Sequence, residues 1–290
     1  MKRPMKIETF EQYSQLVDFY SRKGRITNDY LQNEAADLII HNSLYTICGE
    51  DNAVLLVQKA GFQRLYYYIN NLEEPIELPQ NEYVTEILFR GENAPEADVK
   101  WLEGLGFKKN LTRDQYFGKY ASLTQPVLIS GLKTEVATEE ADAVWAINLF
   151  NSTFDKWSGN FIPQEAALML IQEHALLIAR DISGARLGAL HMELKAGAMW
   201  LNHVAVVKEA RGMGVGLGLV EQYIEQGHIN GDNSRYMLWV QRQNVPAVNL
   251  YKKKGFTPIN KSTLSMIKLN NNNNGEITGN SERNPSRCGL

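Results

Sequence analysis

The chain has little of what builds several classes of protein. It contains two cysteines, Cys48 and Cys288, far apart in 290 residues. No disulfide framework and no metal-ligand spacing follows from them, so no metal is expected. No stretch reaches the roughly 18 apolar residues of a membrane span, and no membrane partner is expected. The first ten residues carry Lys2, Arg3 and Lys6 without an apolar run behind them. That excludes an ordinary secretory signal, and the reading is a cytoplasmic protein. Charge of one sign is also lacking. Thirty Lys and Arg stand against 33 Asp and Glu, a net −3, which gives no reason to expect nucleic acid as a partner. What remains is 44% hydrophobic and 22% charged, the composition of a globular chain long enough for two domains.

The patterning falls into two similar passes. In the first, Glu11–Arg22 and Asn28–Asn42 read as amphipathic helices. Leu44–Cys48, Ala53–Lys59, Arg64–Ile69 and Tyr83–Phe89 read as strands, Pro95–Leu105 as a short helix stopped at Gly106, and Arg113–Tyr120 as a closing strand. Ser122–Ser130, with Pro126, reads as a linker. In the second pass, Thr138–Phe150 is a helix with Thr138 as its expected cap, and Pro163–His174 is another. Leu176–Asp181 and Arg186–Leu194 make a hairpin around Ser183-Gly184, and Ala198–Val207 is a third strand. Gly214–Gln226 is a helix, Arg235–Gln241 a strand and Pro246–Lys254 a helix, with strand material at Phe256–Pro258 and Thr263–Leu269. The Asn-rich residues 270–290 are too polar to offset their ordering entropy and are expected to be disordered.

The most informative segment runs from Val204 to Gly218, with glycines at 212, 214, 216 and 218. It follows a strand and opens a helix. Glycine lets a ligand approach the backbone, and free amides at a helix start carry the positive end of its dipole. Such a turn suits phosphate oxygens, and Arg211 adds a fixed charge. Glycines inside a helix cost about 1 kcal/mol each, which argues for a reason beyond a tight turn. The dinucleotide spacing fails, because Leu217 or Leu219 stands where its third glycine belongs, and no Gly-Lys-Ser/Thr triplet marks a P-loop.

A second block, Asn244–Phe256, reads as a short helix with Pro246 at its start and Gly255 as a left-handed terminator. The spacing Arg211-x-x-Gly214-x-Gly216 resembles the pyrophosphate-binding motif of the GNAT superfamily, the GCN5-related N-acetyltransferases. The run Asn244-x-x-Ala247-x-x-Leu250-Tyr251-x-x-x-Gly255-Phe256 resembles that family's second motif. The resemblance spans roughly residues 127–269.

It implies an α/β fold with a mixed, splayed sheet, and acetyl-coenzyme A as co-substrate without a metal. Backbone groups around Val204, Ala205 and Val206 would pair with the pantetheine arm. Arg211, Gly212, Met213, Gly214, Val215 and Gly216 would hold the pyrophosphate, with Asn244, Ala247 and Tyr251 at the thiol end. Tyr251 would protonate the departing thiolate, a role its chemistry allows because phenol and thiol have similar reference pKa values.

The first half resembles a degenerate copy. Gly106-Phe107 matches Gly255-Phe256, each after a strand and a short helix, but Leu102 stands in place of Tyr251. Residues 70–82 contain two prolines and no glycine turn. The organisation read is therefore residues 1–122 as a GNAT-like or unrelated α+β half, 127–269 as the catalytic half, and 270–290 as a tail.

The amine must lose a proton. Glu193 is the base selected, with His191, Asn202 and His203 also considered. Strand alternation puts Asn202 and His203 on opposite faces and, if Val204 and Val206 share the face of Asn202, turns His203 away from the substrate. Asp155, Trp157 and Phe161 occupy the region that shapes the acceptor pocket in the family. The expected activity is acetyl transfer to a primary amine, the acceptor a small molecule. The alternatives are a non-catalytic acyl-coenzyme A sensor or transfer of a longer acyl group.

Overall fold

The computed structural model describes residues 3–21, 25–123, 129–157, 161–229 and 235–270. From residue 271 on, the tail expected to be disordered lies outside the described residues, as does Cys288.

The first pass comprises β1 (Met5–Lys6), α1 (Phe10–Tyr20), β2 (Ile26–Thr27), α2 (Ala35–Ile40), β3 (Leu44–Cys48), β4 (Ala53–Lys59), β5 (Phe62–Ile69), β6 (Tyr83–Phe89), α3 (Glu96–Gly104) and β7 (Lys108–Lys119). The second comprises β8 (Leu132–Val136), α4 (Glu140–Thr153), α5 (Ala167–Gln172), β9 (Leu176–Asp181), β10 (Arg186–Lys195), β11 (Ala198–Val206), α6 (Val215–Ile229), β12 (Arg235–Gln241), α7 (Val245–Lys253) and β13 (Thr257–Lys268).

All strands join one sheet in the order β1-β3-β4-β5-β6-β13-β7-β12-β11-β10-β9-β8, with β2 added beside β5. Among the described strands only β5 with β6 and β11 with β12 pair in parallel. Helices cover both faces. Clusters built on α1 with α2, and on α4 with α5, bury one face. α3, α6 and α7 bury the other.

The two Gly-Phe pairs share their backbone detail. Gly106 and Gly255 have φ of 89° and 94°. In both places the following phenylalanine amide donates to a carbonyl five residues back, from Phe107 to Leu102 and from Phe256 to Tyr251, each at 3.0 Å. The two helices thus end in the same glycine cap. The final strands are exchanged between the halves. β7, from the first pass, pairs with β12, and β13, from the second, pairs with β6. β7 and β13 pair with each other at the centre.

Two local expectations are corrected. Asn28–Asn42 is not one helix: it holds a single turn at Leu31–Asn33 and the six-residue α2. Asn28 and Asp29 are drawn into tertiary hydrogen bonds instead, Asn28 with Thr85, Glu86 and Tyr67, and Asp29 with the hydroxyls of Tyr13 and Tyr68. Side chains of this type compete with helical backbone bonding. Thr138 does not cap α4: Glu139 occupies that position in extended conformation, and no side chain caps the helix.

Candidate functional site

β11 and β12 are in register only at Met199–Leu201 against Tyr236–Leu238. Beyond Leu201, β11 pairs with β10 alone, while β12 continues along β7. The two parallel strands therefore diverge and leave a slot whose β11 edge has no partner strand among the described residues. Val204, Ala205 and Val206 line that edge. The side chains of Val204 and Val206 pack towards α6, and Ala205 lies buried on the opposite face.

The glycine turn sits at the mouth of the slot. Gly212 and Gly214 both have φ of 83°, which strains any other residue. The amide of Met213 donates to Ala210, whereas those of Gly214, Val215 and Gly216 have no backbone partner among the described residues. They are the free donors of the α6 start. The glycines divide by cause. A Cβ on Gly218 would lie 2.5 Å from Leu132 Cδ2, so a larger residue there would require the Leu132 side chain, which packs α6 on β8, to shift. A Cβ on Gly216 would meet only ordinary contacts, 3.8 Å to Val206 Cγ2 and 3.9 Å to Leu250 Cδ1. Internal packing does not require a glycine at 216. Gly216 also marks where β11, α6 and α7 converge. Arg211 is exposed beside the turn, its Nε 3.4 Å from the Val206 carbonyl.

α7 supplies the third wall. Asn244 is its cap: its Oδ1 accepts from the Ala247 amide at 3.2 Å, and Ala247 packs against the core of the second half. Tyr251 is 3% exposed and packs edge-on against Phe256. Burial pushes its phenol well above the usual value. α7 is tied to α6 by a buried ion pair between Lys254 Nζ and Glu221 Oε1 at 2.7 Å.

On the other face the expected alternation breaks. Asn202 is an extra residue in β11: His203 pairs with His191 and Leu201 with Met192. This bulge returns Val204 and Val206 to the face of Leu201 and sends His203 the other way. Asn202 therefore does not dictate the direction of His203, as simple alternation assumed. His191 and His203 stack with Nδ1 atoms 3.2 Å apart, and His203 packs against Phe150 and Phe154 of the α4 end. Burial, and then the neighbouring imidazole, lower His191 to about 4. Glu193 is exposed farther along the same face, accepting from Asn202 Nδ2 at 3.2 Å. The bulge and the imidazole pair had no signal in the sequence beyond the two histidines.

The loop after α4 reaches across to the first half. Lys156 Nζ lies 2.5 Å from Glu82 Oε2, and Trp157 donates to the same oxygen at 3.4 Å while packing against Phe62, Val84 and Ile267. Asp155 accepts from the Trp157 amide, and Phe161 is exposed.

The corresponding slot in the first half is filled by its own chain. β2 pairs with the end of β5 that has left β6. Asn28, 2% exposed, bridges the gap: its Nδ2 donates to Thr85 Oγ1 and the Glu86 carbonyl, and its Oδ1 accepts from the Tyr67 amide. Where α6 lies in the second half, residues 70–82 form a loop. Glu74 in that loop accepts the amides of Glu50, Asp51 and Asn52.

Residues 146–256 match the model of the acetyltransferase (GNAT) family. No curated protein sequence matches the chain. A GCN5-related N-acetyltransferase from Sphaerobacter thermophilus superposes with a TM-score of 0.58 at 16% identity, over 75% of this chain and 76% of that one. One from Kribbella flavida gives 0.52 at 13% identity, over 79% and 91%. A tandem GNAT protein from the clavulanic acid biosynthesis pathway gives 0.53 at 12%, over 77% and 82%. At these identities the likeness is one of fold.

Proposed function

We propose that this chain, whose residues 146–256 match the acetyltransferase (GNAT) family model, is an acyltransferase that moves an acetyl group from acetyl-coenzyme A to a primary amine, by direct attack in a ternary complex. The observation that carries the reading is the set of free amides at Gly214, Val215 and Gly216, opening onto the slot between β11 and β12. A pyrophosphate fits those donors, with Arg211 beside them, and an extended pantetheine arm fits the unpaired edge at Val204–Val206.

In the reaction the amine nitrogen attacks the thioester carbonyl. The tetrahedral adduct then collapses as the carbon–sulfur bond breaks. The amine proton leaves towards the face holding Glu193 and the His191–His203 pair, and the thiolate leaves towards Tyr251. Because burial holds the Tyr251 phenol in its neutral form, it serves the sulfur as a hydrogen-bond donor across the working pH range. The first half, with its slot filled by Asn28 and β2, binds no coenzyme and acts as a structural copy.

Calorimetry with acetyl-coenzyme A tests the reading directly: no binding at millimolar ligand sinks it. Thiol release across a panel of amines separates an enzyme from a non-catalytic coenzyme sensor. A matched series of longer acyl donors reads the acyl chain length.

A further inference from the structure

The face that carries His191, Glu193 and His203 does not end with the second half. Cross-strand partners share a face, and the register carries it onward. Trp200 lies opposite Glu193 and beside Met237, and Gln241 lies four residues farther along β12 opposite Arg113. Arg113 lies opposite Thr263, and Ser265 opposite Glu86. Arg64 shares its face with Glu86 through the Arg64–Val84 pairing. Leu264, Met266 and Ile87 point the other way, into the α3 core.

The result is a polar stripe across four adjacent strands: Arg64 on β5, Glu86 on β6, Thr263 and Ser265 on β13, and Arg113 on β7. Only the exchange of β7 and β13 assembles it. Both sides of the trough have helices, α1 with α2 and α4 with α5, and the Trp157 loop bridges it.

This composition is unusual for a buried sheet face. Arg113 forms an ion pair with Glu86, and Arg64 lies in the field of the same carboxylate while bonding to Tyr66. With Lys59 and Glu34 at the rim, three cations face two anions. Beneath them Thr263 is 7% exposed and Ser265 0%. Among the described residues neither hydroxyl has a hydrogen-bond partner, nor has the buried Arg64 Nε. A buried polar group left unmatched destabilises the fold, so a ligand that matches it is favoured. Arg113, with a fifth of its side chain exposed, keeps the stripe in reach of a ligand.

We propose that this stripe is an acceptor subsite for an oxyanion, so that the acceptor is an amine carrying a carboxylate or phosphate group. The inference rests on the acyl-transfer reading for the amine, but not for the anion. Strands lie about 4.8 Å apart, so three steps from β11 to β13 put the anion on the order of 15 Å from the slot. That is the span of a short extended peptide: four residues reach about 14 Å.

Calorimetry on the full chain, with and without coenzyme A, tests it with tetraglycine and its C-terminal amide, and with phosphoethanolamine and ethanolamine. The expected result is at least tenfold tighter binding of one anionic probe over its neutral partner. Preference within the peptide pair assigns a carboxylate, and preference within the other pair assigns a phosphate. Arg64→Met should erase the preference, Arg64→Lys should retain part of it, and Thr263→Val should weaken it without loss of thermal stability. Arg64→Lys and Thr263→Val keep the test open if Arg64→Met does not fold. Equal or absent binding within both pairs overturns the subsite even where coenzyme A binds normally. Failure of coenzyme A to bind, with the anion preference intact, strikes the transfer reading and leaves the subsite standing.

Discussion

Gly216→Ala separates a ligand-driven glycine from a packing-driven one. Gly216 lies in the first turn of α6, and the added methyl would rest 3.8 Å from Val206 Cγ2 and 3.9 Å from Leu250 Cδ1, with nothing to displace. Replacing a helical glycine by alanine stabilises by about 0.5–1 kcal/mol. For a chain of this size that raises Tm by about 1–4 °C. The same methyl stands where a phosphate would approach the amides of Val215 and Gly216. Losing one hydrogen bond to a charged group costs about 1.5–3 kcal/mol, or roughly ten- to a hundredfold in affinity. The variant should therefore melt higher without coenzyme and bind acetyl-coenzyme A at least tenfold more weakly by calorimetry. Gly218→Ala should behave in the opposite way. Its methyl meets Leu132 Cδ2 at 2.5 Å, so the protein should lose about 1–3 kcal/mol of stability while folded molecules keep their affinity. Unchanged affinity in Gly216→Ala would show that the turn is a connection between strand and helix and nothing more.

Three further outcomes are expected. Tyr251→Phe should lower kcat in thiol-release kinetics with little change in coenzyme affinity, since the ring's packing on Phe256 is kept; equal loss of both would make the residue a packing element. Titration with acetyl-coenzyme A should give one site per chain, because Asn28 and β2 fill the first slot, and a stoichiometry of two would refute that account. The His191 value of about 4 lies below its ordinary 6.5, so its contribution to stability is complete above pH 6.5 and declines as pH falls towards 4. That decline, at most about 3 kcal/mol, should be visible as a fall in Tm between those pH values and should flatten in His191→Gln.

Much of the fold could be read in the sequence where a run of apolar residues is closed by turn chemistry. Ala53–Lys59, Tyr83–Phe89, Leu176–Asp181 and Arg235–Gln241 are strands with the expected bounds. The glycine turn and the Gly-Phe caps were legible because left-handed backbone restricts residue type so strongly. β8 was missed: Leu132–Val136 is a short edge strand whose partly buried residues form no clear alternation. The bulge at Asn202 was illegible for a different reason. No glycine marks it, and only the pairing with β10 reveals which residue is extra. The direction of His203 went with it. The filling of the first slot was hidden because Asn28 looks like any polar residue at a helix start until its partners on β5 and β6 are known.

The strand exchange lay beyond sequence patterning altogether. β7 and β13 present similar alternation, and either could close either half. What decides between them is a tertiary partner, since β12 takes β7 along seven residues from Arg235 to Gln241. The exchange gives the first half a role in building the second. Without β7, β12, which bears the far wall of the slot, would be an unpaired edge at the centre of the sheet, an arrangement that invites wrong pairing. Without β13, β6 would lose the partner that holds Glu86 opposite Ser265. The face proposed to receive the acceptor is thus built from strands of both passes. The first pass supplies β7, which pairs with β12 beside the slot and carries Arg113.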